Sequence, residues 1–99
     1  MPSNRTALAE AELHALLLDL PAWALADGKL VREWKFKDFV AAMAFVNRVA
    51  ALAEQAQHHP DIDIRYNRVQ LALVSHDAGG ITARDARMAR RLTAEFPQP

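Results

Sequence analysis

Glu54-Gln-Ala-Gln-His58-His59-Pro60-Asp61-Ile-Asp-Ile-Arg-Tyr66-Asn67, continuing through Arg68-Val-Gln-Leu-Ala-Leu-Val-Ser75-His76-Asp77-Ala-Gly79-Gly80-Ile-Thr82-Ala-Arg-Asp85, is the stretch from which the rest of the chain can be read. Proline disfavours helical geometry in the residue before it, so the spacing predicts that His58 closes a helix and His59 is extended. Ile62, Ile64 and Tyr66 alternate with Asp63 and Arg65, the pattern of a half-buried strand. Asn67 suits a tight turn, and Val69, Leu71 and Leu73 alternate with Gln70 and Ala72 on the returning strand. His76 lies just past that strand. Asp77 to Gly80 reads as a flexible loop whose glycines let backbone approach a ligand closely. Thr82-x-x-Asp85 is a capping box that opens another helix.

Upstream of Glu54, Phe39, Met43, Val46, Ala50 and Ala53 recur at helical spacing, and Ala42, Phe45, Val49 and Leu52 form a second stripe beside them. A helix apolar over half its girth is expected to be central, with the sheet on one side and a neighbour on the other. Asp38 is its N-cap. Before it, Asp27-Gly28 favours a two-residue hairpin turn between a strand around Trp23–Ala26 and one over Lys29–Phe36. Leu30, Trp34 and Phe36 share one face of the return strand, which Arg32 interrupts, and both tryptophans read as packing residues.

The chain starts with Leu13, Leu16, Leu17 and Leu20 in one stripe of a helix that begins near Thr6, carries Glu10 and Glu12 early, and stops at Pro21. It finishes with a helix whose face is Ala86, Ala89, Thr93 and Phe96. Helix, hairpin, helix, hairpin, helix implies an α+β fold, a four-stranded antiparallel sheet with three helices packed on one face.

The chain has 99 residues, expected to make one domain over 1–99 with a modest core. Its 12 Lys and Arg balance 12 Asp and Glu, so the net charge is zero, which argues against nucleic acid as a partner. Such a chain lacks the charge repulsion that keeps copies apart, which favours self-association. There is no cysteine, which excludes disulfides, thiolate nucleophiles and Cys-ligated zinc. No apolar run has the length of a membrane span, and Met1–Arg5 does not lead into a signal-peptide core, so a cytoplasmic protein is expected.

Three of the four histidines fall within the quoted stretch. Three histidines match the ligand count of some zinc sites, but His58 and His59 are adjacent and should diverge, which speaks against a metal. Ser75 beside His76 is a poor nucleophile–base pair, because neighbours on a strand point to opposite faces. General acid–base work asks only for histidines converging on a pocket, and their ordinary pKa suits it at neutral pH. His14, alone on the first helix, reads as structural. Asp85 is accounted for by its cap, and Asp61 and Asp77 could orient a ring or remain solvated.

The pattern Glu54-x3-His58-His59-Pro60-x5-Tyr66-x9-His76-x8-Asp85 resembles the motif of the pterin-4a-carbinolamine dehydratases. The resemblance extends to Trp23, to Phe36-Lys37-Asp38-Phe39 and to Gly80-Ile81-Thr82, and covers the chain from Leu8 onward. It implies a hydro-lyase that dehydrates 4a-hydroxytetrahydropterin to the quinonoid dihydropterin, recycling the cofactor of aromatic amino-acid hydroxylases, phenylalanine hydroxylase above all. It implies a dimer or tetramer with no metal and no cofactor of its own. By resemblance, His58, His59 and His76 carry acid–base work, with His58 and His76 first for proton transfer. Gln57, His58, His59, Pro60, Val74, Ser75, His76 and Asp77 would contact the pterin, in part through backbone groups. Glu54 and Asp85 would support them. Many relatives carry an acid where this chain has Gln57, which bears on pterin affinity rather than on reaction type.

The same fold serves relatives as a dimerisation cofactor for a homeodomain transcription factor and in the assembly of a carbon-fixing enzyme. A non-catalytic assembly module is therefore the alternative. Such relatives need not keep the acid–base residues, all three of which stand here.

Overall fold

A computed structural model describes residues 6–97. The elements are α1 (Glu10–Asp19), β1 (Ala24–Ala26), β2 (Lys29–Lys35), α2 (Phe39–Ala56), β3 (Asp61–Arg65), β4 (Arg68–Leu73), a 3-10 turn η1 (His76–Ala78) and α3 (Ala83–Glu95). The four strands form one antiparallel sheet in the order β1-β2-β4-β3. This is the expected α+β architecture, with the two hairpins joined through β2 and β4.

Local chemistry sets the element ends. Asp27 and Gly28 both have positive φ, 52° and 76°, as a twist-matched two-residue hairpin turn requires. The Ala41 N–H donates to Asp38 Oδ1 at 2.8 Å, so Asp38 caps α2. Glu12 accepts the Ala9 N–H at 2.8 Å, half of a capping box, at the start of α1. That helix begins at Glu10 rather than near Thr6, because the preceding segment is tied elsewhere: the Leu8 N–H donates to the Ile81 carbonyl at 2.8 Å. Asn67 reaches back to β2, its side-chain amide donating to the Phe36 carbonyl while its carbonyl accepts the Phe36 N–H, each at 2.8 Å.

Pleating divides the sheet into two faces. Leu30, Trp34, Val69, Leu71 and Leu73 are almost wholly buried, in one core with Leu16 and Leu20 of the α1 region, Ala42, Phe45, Val49 and Leu52 of α2, and Met88, Ala89 and Leu92 of α3. Glu33, Lys35, Asp61, Asp63, Arg65, Arg68 and Gln70, on the alternate positions, are exposed. All three helices therefore cover one face. Trp23 and Trp34 meet edge to face with centroids 5.8 Å apart, and Trp34, Phe45 and Phe96 continue the aromatic contact. Each indole N–H is satisfied, Trp23 by Thr93 Oγ1 at 2.9 Å and Trp34 by the Phe96 carbonyl at 3.1 Å.

Several details depart from the sequence pattern. Arg32, which interrupts the apolar face of β2, is nonetheless buried: its guanidinium lies 4.2 Å from the Trp34 ring centroid, and burial lowers its pKa below the usual arginine value. The face of α3 includes Asp85, Met88 and Leu92 besides Ala89. Only the second stripe of α2 is fully packed. On the first, Phe39 is 47% exposed and Ala50 is exposed, because none of the described residues covers that side.

The strand expected to be half-buried, β3, is exposed along its whole length, with Ile62 and Ile64 each 37% exposed. It is an outer strand, and the helices do not extend over it. Tyr66 belongs to the turn, with φ 52°, rather than to the strand.

Candidate active site

α2 ends two residues before His58, at Ala56, because Gln57 adopts the left-handed conformation (φ 55°, ψ 36°) that reverses the chain at a helix C-terminus. The His58 N–H donates back to the Ala53 carbonyl at 3.1 Å, which fixes where the histidine pair leaves the helix. The two rings then part company, as adjacency before a proline requires.

His58 turns inward. Its Nε2 lies 2.5 Å from Asp85 Oδ1, with 12% of the His58 side chain exposed and none of the Asp85 side chain. His59 turns outward and pairs with Glu54 of the last turn of α2, both largely solvated.

Asp85 is held by more than its partner. Its Oδ2 accepts the Thr82 N–H and the Ser75 hydroxyl, each at 2.8 Å. The first of these is the capping box foreseen from Thr82-x-x-Asp85; the second joins α3 to the exit of β4. Ser75 has one hydroxyl proton, given to Asp85, so the 2.8 Å contact between Ser75 Oγ and Thr82 Oγ1 has the threonine as donor. Thr82 Oγ1 in turn accepts the Arg84 N–H at 3.2 Å. Ser75, Thr82 and Asp85 are all buried, so this network sits away from water, where a missing partner is costly. A carboxylate offers only acceptors, and Asp85 already accepts two donors at Oδ2, so as a carboxylate it takes the shared proton from His58 Nε2 at Oδ1.

His76 opens η1 and is exposed. Its position is set by its neighbours. The Ser75 N–H donates to the Gly80 carbonyl at 3.0 Å, and the Ser75 carbonyl accepts from Ala78 at 3.1 Å and Gly80 at 3.3 Å. Gly79 closes the turn at φ 67°, a conformation that disfavours side chains. Asp77 pairs with Arg84 Nη2 at 2.5 Å, pinning the turn to α3. The loop read as flexible is thus a short bridged turn, and the backbone groups of Ser75 are engaged within it.

The structure joins His58 to Asp85, Ser75 and Thr82, and through Ser75 to the segment that carries His76. It places His59 with Glu54 on the solvent side. Gln57 is exposed, Pro60 and Val74 are half-buried, and Asp77 faces Arg84. Among the described residues, no group of three or more His, Cys, Asp or Glu is placed to hold a metal ion.

Two features were not read from the sequence. The sequence offers Ser75 only as a nucleophile or a pterin contact, whereas its hydroxyl serves Asp85, ten positions away. Arg84, Arg87, Arg90 and Arg91 line a cleft of about 400 Å³ with His58, and the spacing of Arg84, Arg87 and Arg91 on one helical stripe was the available signal.

Comparison with known proteins bears on this geometry. The model of a family described as Pterin 4 alpha carbinolamine dehydratase matches residues 6–94. A protein of Thermomicrobium roseum named "Putative pterin-4-alpha-carbinolamine dehydratase" is 58% identical over 85 residues, 86% of this chain and 91% of that one. The crystal structure of a transcriptional coactivator/pterin dehydratase from Brucella melitensis superposes with a TM-score of 0.83 at 38% identity, covering 90% of this chain and 97% of that chain. A pterin dehydratase-like protein described as a RuBisCO assembly factor in the alpha-carboxysome shares the fold, with a TM-score of 0.61 at 24% identity over 74% of this chain and 87% of that one.

Proposed function

The chain belongs to the pterin-4a-carbinolamine dehydratase family, and on that premise we propose that it dehydrates 4a-hydroxytetrahydropterin to the quinonoid dihydropterin by histidine acid–base catalysis. The observation that carries the reading is the buried Asp85 holding His58 by Nε2. An exposed surface histidine needs no such anchor, whereas a proton carrier gains from a fixed ring and a fixed tautomer.

The reaction moves two protons. One goes to the departing 4a-hydroxyl, the C4a–O bond breaks and water leaves. The other comes off N5, whose electrons form the C4a–N5 double bond. His58, acting through Nδ1, and His76, at the head of η1, divide these roles, and each proton transfer is worth about 10²–10⁴ in rate. His59 contacts the pterin and is steered by Glu54. Gln57, Pro60, Val74 and Asp77 line the approach, while Ser75 and Asp85 position His58. The product returns to a pterin-dependent hydroxylase, with phenylalanine hydroxylase the partner the family resemblance implies, and the setting is the cytoplasm.

The protein acts as a homo-oligomer, a dimer or tetramer. The support is the open β3 edge together with the uncovered apolar side of α2.

The test follows freshly generated 4a-hydroxytetrahydropterin by ultraviolet absorbance with the wild type and with His58→Ala and His76→Ala. Accelerated loss that largely disappears in both folded variants establishes the activity. No acceleration by folded wild type sinks it and turns attention to the assembly role.

A further inference from the structure

The cleft beside His58 has an unusual lining for a protein of zero net charge. Four of the chain's 12 Lys and Arg line it, namely Arg84, Arg87, Arg90 and Arg91, together with His58 and a floor that includes the buried Met88. Among the described residues, no carboxylate lines it.

The acids and amide that hold these side chains stand outside the lining. Asp77 takes Arg84 Nη2 at 2.5 Å, Asp19 takes Arg90 Nη2 at 3.1 Å, Gln55 takes Arg91 Nη2 at 2.8 Å, and Glu95 pairs with Arg91 Nε at 3.7 Å. A guanidinium has five donors in a rigid fork, so an anchor at one edge leaves the opposite edge for a ligand.

The placement on α3 weakens the alternative of a merely solvated face. Arg84 and Arg87 are three apart, Arg87 and Arg91 four apart, and like charges at those spacings oppose helix formation. An anion between them would relieve that repulsion and match the planar geometry of the guanidinium groups.

We infer that the arginine-lined cleft is a subsite for an anionic substituent of the pterin, a phosphate ester or a carboxylate, next to the ring that His58 serves. The inference rests on the pterin reading and narrows it from pterins in general to pterins with an acidic side chain. Neutral side chains leave the cleft to water.

The test is calorimetric binding, which needs no turnover. The probes are 6-hydroxymethylpterin, its phosphate monoester, folic acid as the carboxylate-bearing pterin, and inorganic phosphate alone. The proteins are the wild type, Arg87→Gln/Arg91→Gln and the charge-preserving Arg87→Lys/Arg91→Lys, each checked for helix content. The expected result is that at least one anionic pterin binds the wild type about tenfold tighter than the neutral alcohol at low salt, as one charge-assisted contact would give. The phosphate and carboxylate arms identify which anion it is. The margin shrinks with salt, collapses in the glutamine variant and survives in part in the lysine variant.

Equal affinity for neutral and anionic pterins overturns the subsite and leaves the dehydratase reading standing. So does a margin undiminished in the glutamine variant, or binding of inorganic phosphate with no advantage to either anionic pterin. Tight, arginine-dependent binding by a wild type that does not accelerate the loss of 4a-hydroxytetrahydropterin overturns the dehydratase reading and keeps the subsite. Failure of folded wild type to bind any pterin overturns both.

Discussion

Asp85 Oδ1 lies 2.5 Å from His58 Nε2 across the junction of two helices, with the carboxylate side chain fully buried and the ring nearly so. The pair links the C-terminal end of α2 to the first turn of α3. Each partner is fixed by a different local rule, His58 by the left-handed reversal at Gln57 and Asp85 by its cap on Thr82. Asp85→Asn keeps the shape but replaces one acceptor oxygen with a donor. It is expected to lower kcat for carbinolamine dehydration by about 10²-fold or more while KM changes little, because the ring loses its fixed tautomer. A rate within a few-fold of wild type, with a superimposable pH profile, refutes a positioning role for Asp85.

Ser75→Ala tests the other side of the same carboxylate. It removes one donor from Asp85 Oδ2 and leaves the Thr82 hydroxyl without its acceptor, both in a buried setting. The expected cost is about 1–3 kcal/mol of stability. For a domain of this size that is a fall in Tm of roughly 4–8 °C per kcal/mol, read by calorimetry. An unchanged Tm means that the network does not bear on stability.

Much of this site was legible in the sequence because its parts are local. Pro60 ends helical geometry just after the histidine pair, and Thr82 and Asp85 are three residues apart. Periodicity also placed Val69, Leu71 and Leu73 in the core. What it missed involves distance or neighbours. The bond from Ser75 to Asp85 depends on β4 delivering its exit to the start of α3, which no local pattern states. The alternation in Ile62-Asp63-Ile64 declares that two faces differ, but not that the helices stop short of the outer strand. The burial of Arg32 against Trp34 likewise follows from a stacking partner on the same strand face, two residues on.

Thr93 holds the indole of Trp23, accepting its N–H at 2.9 Å and donating to the Ala89 carbonyl at 2.8 Å. Thr93→Val preserves the volume but leaves the Trp23 N–H with no acceptor among packed rings. A loss of about 1–3 kcal/mol is expected in urea titration, with m unchanged. A midpoint equal to that of wild type shows that the indole finds another partner.

The outer strand gives a prediction about assembly. β3 presents Ile62 and Ile64 partly exposed, and the turn after it presents Tyr66, 66% exposed; Phe39 and Val40 of α2 add 47% and 76% exposed apolar side chains. An outer strand with unpaired backbone groups and partly exposed isoleucines is a template for pairing unless something covers it. A second copy of the chain would cover it with matching chemistry, consistent with the zero net charge. Ile64→Lys places a charge on that edge and should shift the sedimentation distribution toward the monomer, while the core, which does not include Ile64 among its buried residues, keeps its cooperative unfolding. If Ile64→Lys sediments like the wild type at every concentration, β3 is not the assembly edge. If the wild type itself is monomeric at millimolar concentration, the oligomer reading falls and the strand is guarded by Asp63 and Arg65 alone.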